Sequence, residues 1–154
     1  MVAHQQGKVE RGGIGSIKVV NVKGNSCYWV LPPFLRGGMI EKILGGMCTN
    51  FPVIDVAIEE AGKIVSIVSI KTMDILAKTY SSGSVEIIRA ITSMATKLAN
   101  FAGRAWGTVQ VFPTAETERI LTVVISDTPS MTVVTAAKDL AEKLGILIRF
   151  IVYK

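Results

Sequence analysis

The chain has 154 residues, enough for one domain around a single core. Its 17 Lys and Arg against 12 Asp and Glu leave a net charge of +5, a modest bias toward polyanions that would also serve plain solubility. With 49% hydrophobic and 19% charged residues the composition excludes a disordered chain, and without an uncharged apolar run of about 18 residues no membrane span is expected.

In chain order, residues 1–15 carry four glycines among polar residues and are expected to form a flexible tail, leaving 16–154 as one domain. No signal-peptide pattern opens the chain, so export would fall to another segment. "IKVVNV" (17–22) predicts a short strand. Pro32 and Pro33 open a helix expected to run to Gly46, with Ile40, Ile43, Leu44 and Met47 at helical spacing and Glu41 beside that stripe. Strands are expected over 52–58 and 63–71, joined by "EEAGK", a polar glycine-containing turn between β-branched runs. "SVEIIRAITSMATKLANFAG" (84–103) predicts an amphipathic helix capped by Ser84 and Gly103. Its buried face runs from Ile87 to Phe101, and Glu86, Arg89, Ser93, Lys97 and Asn100 face outward. "GTVQVF" and "RILTVVIS" predict two further strands. "DTPS" offers Thr128 as N-cap and Pro129 as the first residue of a helix ending at Gly145, and "ILIRFIVYK" closes the chain as a strand. This order predicts an α/β protein with a mixed central β-sheet flanked by helices.

The only histidine, His4, lies in the expected tail. A Ser-His-Asp triad, a histidine acid/base pair and a histidine-ligated zinc site are therefore not expected. Cys27 and Cys48 read as two thiols rather than a disulfide framework, and there is no CxxC. Any chemistry must come from carboxylates, Lys, Ser, Thr or an oxygen-bound metal.

Such groups stand on the predicted hairpin. Strand side chains alternate, so Ser69 and Lys71 share a face about 7 Å apart, and Asp55 on the opposite arm joins them if the register permits. An aspartate on one strand, a lysine on the next and a glutamate on a preceding helix make a metal-nuclease set. Carboxylates hold a hard cation through oxygen, the cation acidifies water and draws charge from a phosphate, and the lysine stabilises the developing anion. The alternative is structural: Asp55 and Lys71 as an ion pair at a sheet end, with Glu41 a solvated helix residue. Thr72 and Asp74 would either support Lys71 or form a turn.

"IEKILGG", "NFPVID", "IVSIKTMD" and the closing "LGILIRFIVYK" resemble the C-terminal nuclease toxin domains of contact-dependent growth inhibition proteins, over about residues 35–154. Those domains belong to the PD-(D/E)xK, or restriction-endonuclease-like, superfamily. The resemblance implies Glu41, Asp55, Ser69 and Lys71 as catalytic residues. Ser69 stands where a second acidic residue is usual, and Ile54 replaces the proline before Asp55. A divalent ion (Mg, Mn or Zn) would be held by Glu41, Asp55 and the Ile70 carbonyl. Arg89 and Lys97, on the exposed helix face, would either touch nucleic-acid phosphates or form a plain solvated face; DNA is the expected substrate and tRNA the alternative. The resemblance further implies a domain excised from a larger exported protein, acting in the target-cell cytoplasm and neutralised by a cognate immunity protein. A non-catalytic nucleic-acid-binding or interaction module with a decayed site is the competing class, kept open by Ser69; a dimeric resolvase-like enzyme is a third.

Overall fold

The computed structural model describes residues 17–22, 53–80, 83–106 and 109–153. The expected tail, the helix over 33–46 with Glu41, and both cysteines lie outside the described residues.

Numbered along these residues, the elements are β1 (Ile17–Val22), β2 (Val56–Glu60), β3 (Lys63–Met73), α1 (Ser84–Ala99), β4 (Arg104–Trp106), β5 (Val109–Val111), β6 (Glu118–Ile125), α2 (Met131–Leu144) and β7 (Leu147–Tyr153). Five strands form one mixed sheet in the order β1-β7-β6-β3-β2, parallel throughout except for β2, which runs antiparallel to β3 at one edge. β4 and β5 form a separate two-stranded antiparallel sheet. The mixed α/β architecture expected from the element order is the one observed.

The β2–β3 hairpin follows from its turn. Ala61 and Gly62 have φ of 52° and 77°, the two positive values that a two-residue type I′ turn requires. A register shift at Ile58/Glu59 adds local twist. The expected start of β2 at residue 52 is corrected to Val56, because Val53 turns the chain with φ 70° and so interrupts extended backbone.

Alternation divides the sheet into two buried faces. Ile67, Leu121, Val123, Ile148 and Phe150 pack with α1 and α2 through Ile91, Ala95, Leu98, Val133, Ala137 and Ala141. Val56, Val68, Ile70, Ile120, Val124, Leu147 and Ile151 form the cluster on the other face. Each large aliphatic side chain so buried contributes about 1.5–3 kcal/mol relative to exposure. The second face also carries Arg149, 8% exposed, whose Nη2 donates to Thr122 Oγ1 at 3.0 Å. Burial lowers its pKa from the ordinary arginine value.

Helix ends depart from expectation at three places. Gly83, not Ser84, is the N-cap of α1, and the Ser84 hydroxyl instead meets that of Ser130 at 3.3 Å. α1 stops at Ala99 with Asn100 as its C-cap, so Gly103 lies beyond it. α2 is capped by Ser130, whose Oγ accepts the Val133 N–H at 3.2 Å, rather than by Thr128. Gly145 ends α2 in the left-handed conformation with φ 68°, as expected.

Candidate active site

The open end of the β2–β3 hairpin, opposite its turn, collects the polar groups. Val56 pairs with Val68, so one further step places Asp55 beside Ser69. The Asp55 N–H donates to the Val68 carbonyl at 2.8 Å, and Asp55 Oδ2 accepts the Ile70 N–H at 2.6 Å. The carboxylate thus takes a ladder donor where β2 has ended. In a strand a residue's carbonyl points to the same side as its own N–H, so the Ile70 carbonyl is directed toward the Asp55 side of β3.

Ser69 and Lys71 project onto the helix-covered face, where with Val53 they line a cleft of about 350 Å³. Its far wall is α1, through Ala90, Ser93, Met94 and Lys97. Ser69 is 2% exposed. Lys71 forms no ion pair or hydrogen bond with another described residue. The structural alternative, an Asp55–Lys71 ion pair, is therefore not formed; Asp55 accepts the Ile70 N–H instead.

Val53 contributes to the wall from an uncommon backbone state. A β-branched residue at φ 70° is held there at a cost of about 1–3 kcal/mol, a kind of strain that concentrates at functional sites.

The structure sorts the remaining sequence candidates. Lys97 lines the cleft, so part of the polar face of α1 is a cleft wall. Arg89 does not line it; its Nη1 lies 3.0 Å from Glu86 Oε1 one turn away. Thr72 alternates to the other face of β3. Asp74 makes a turn, accepting the Leu76 N–H at 3.2 Å and the Ser126 hydroxyl at 2.8 Å; it ties β3 to β6 rather than supporting Lys71. Glu41 lies outside the described residues, and among those described no three His, Cys, Asp or Glu side chains converge. Sequence reasoning assigned no role to Val53, Ser93 or Met94 in this wall. Only the pairing register and the seating of α1 bring them there.

Two oxygens at the hairpin end suit a hard divalent cation: the Asp55 carboxylate and the Ile70 carbonyl. A carboxylate offers about four acceptor sites, and the Ile70 N–H takes one of those on Asp55. The donor chemistry fits such an ion, with Glu41 as the further candidate.

Among curated proteins none matches the sequence. Among solved structures the fold is similar to that in a CdiA-CT/CdiI toxin and immunity complex from Yersinia pseudotuberculosis, with TM-score 0.58 and 16% identity, over 80% of this chain and 99% of that one. The family model for the CDI toxin restriction endonuclease-like domain matches residues 36–151. A match over that span, on a mixed sheet of this kind, places the chain in the family: it belongs to the restriction endonuclease-like domains of contact-dependent growth inhibition (CDI) toxins.

Proposed function

We propose that this domain is a divalent-metal-dependent nuclease whose substrate is DNA, acting as an interbacterial toxin in the cytoplasm of the target cell. The observation that carries the reading is the juxtaposition at the open hairpin end: Ser69 and Lys71 in one cleft, and the Asp55 carboxylate fixed on Ile70 between them in sequence register. A divalent ion held by Asp55, the Ile70 carbonyl and Glu41 would supply Lewis-acid activation of water and phosphate. The chain's own groups do the rest. The Asp55–Ile70 bond sets the direction of the carboxylate. Lys71, without a protein counter-ion among the described residues, offers its ammonium to charge developing on the phosphate. Its stem packs along the strand face so that the head reaches the cleft. Ser69 is a neutral hydroxyl where a second carboxylate is usual in the superfamily, which keeps negative charge low beside an anionic substrate. Lys97 on the facing wall adds a second cation.

The neighbouring solved structure is of a toxin with its immunity protein. By analogy this domain has a cognate immunity partner, acidic where it meets the basic cleft. The test is digestion of plasmid DNA and of total tRNA by the purified domain, with and without EDTA. Cleavage of plasmid that stops in chelator and returns with Mg²⁺, Mn²⁺ or Zn²⁺ is expected. Cleavage confined to tRNA reassigns the substrate, and undiminished cleavage in excess chelator contradicts the metal mechanism.

A further inference from the structure

We infer that the site continues along α1 as a phosphate-tracking groove, in which Lys97, Asn100 and Arg104 hold the polynucleotide backbone to one side of the phosphate facing Lys71. The inference rests on the nuclease reading above and adds a binding subsite to it.

A second cleft, of about 390 Å³, runs on from the first, and the two share Val53 and Lys97. Its lining includes Asn100, Gly103 and Arg104. Among the described residues, the charged ones that line the two clefts are Lys71, Lys97 and Arg104. From Ala90 to Asn100 the α1 wall is about 15 Å long at 1.5 Å rise per residue, room for about four nucleotides at 3.4 Å per strand.

A helix C-terminus ordinarily repels an anion, because its last carbonyls carry partial negative charge. Here Arg119, reaching up from β6, donates to the Leu98 and Phe101 carbonyls at 2.8 and 2.7 Å. Its guanidinium offsets the negative end of α1 where the groove passes. Gly103 then lets the chain turn close under Phe112: with φ 122°, an added Cβ would run into the Phe112 ring. That close approach sets Arg104 at the groove, at the start of β4.

The direct test is fluorescence anisotropy with a labelled DNA duplex in EDTA, across about 50–200 mM salt. Wild type is compared with Lys97→Ala/Arg104→Ala, and with Lys97→Gln/Arg104→Gln should the alanine pair melt early. Two lost phosphate contacts should make the slope of log K against log salt shallower by about 2, with the melting temperature unchanged. Equal slopes in both proteins, or no binding by wild type, overturn the groove. So do equal slopes accompanied by weaker capture of a purified acidic immunity protein, which would make the surface a protein-docking one. A wild-type protein that binds with the expected slope difference but never cleaves overturns the nuclease reading alone and leaves the groove as a nucleic-acid track.

Discussion

At its start α2 is closed by the Ser130 hydroxyl on the Val133 N–H, and at its end by Gly145, with the Ile146 N–H returning to the Ala141 carbonyl. α1, lying beside it on the same sheet face, starts at Gly83 without a side-chain cap. Its last turn is held from outside, by Arg119 across from β6. One helix carries its limits in its own sequence; the other is placed by a long-range contact. The difference follows what each does. α2 packs over β7 and β1, whereas α1 packs over β6 and is also the wall of the cleft, so its last turn must sit correctly beside that cleft. Residues of the α2 side should therefore govern stability alone, and residues around α1 and the hairpin end should govern activity, or both.

The largest expected effect breaks the site itself. Asp55→Ala removes the carboxylate and leaves the Ile70 N–H without its acceptor. Cleavage should fall by about 10²-fold or more, the scale of losing an electrostatic stabiliser. Stability should also fall, by about 1–2 kcal/mol, for the unsatisfied donor. Cleavage rates and chemical denaturation read the two losses separately.

Next comes Arg119→Met, which deletes the tie between β6 and α1. Two charge-assisted bonds to carbonyls are lost, and the half-buried guanidinium, whose pKa burial lowers, is replaced by an apolar chain of similar length. A net loss of about 2–3 kcal/mol is expected from urea denaturation. Cleavage per folded molecule should weaken through KM, since the Lys97 wall shifts. If stability drops with KM unchanged, α1 does not depend on Arg119 for its working position.

On the other side of the comparison, Ser130→Ala should cost about 1 kcal/mol, the usual worth of an N-cap, and leave cleavage unchanged. A change in kcat would mean that α2 too reaches the site. The smallest effect is a gain. Ala61 holds φ 52° in the type I′ turn, and Ala61→Asn would create the Asn-Gly pair that such turns prefer, worth about 0.5 kcal/mol or slightly more. A rise in melting temperature without a change in activity would place the turn in the structural region.

What the sequence disclosed follows the same division between local and long-range causes. The hairpin was legible because period-2 alternation and "EEAGK" are local signals, and alternation alone puts Ser69 and Lys71 on one face. Gly145 was legible as a helix stop for the same reason. "DTPS" was misread at Thr128, since Ser130 two residues on is an equally competent cap; Asp127 accepts the Thr128 N–H at 2.8 Å, and Ser130 caps the helix. The bond from Ile70 N–H to Asp55 was not legible, because it depends on the residue at which β2 gives way. Ser93 and Lys97 were read as facing outward, and both are exposed. That this exposed face overlooks Ser69 and Lys71 depends on how α1 seats across β3, which no local pattern states. Nor did any local signal announce β4, three residues long, or Arg104 at its start.

The nuclease account turns most directly on Lys71→Ala, with plasmid cleavage rate and melting temperature measured on the same preparation. The Lys71→Ala protein should cleave slower by about 10²-fold or more at a melting temperature close to that of the wild-type protein. A rate that falls only in proportion to the folded fraction, or does not fall, would contradict it and return Lys71 to a structural role.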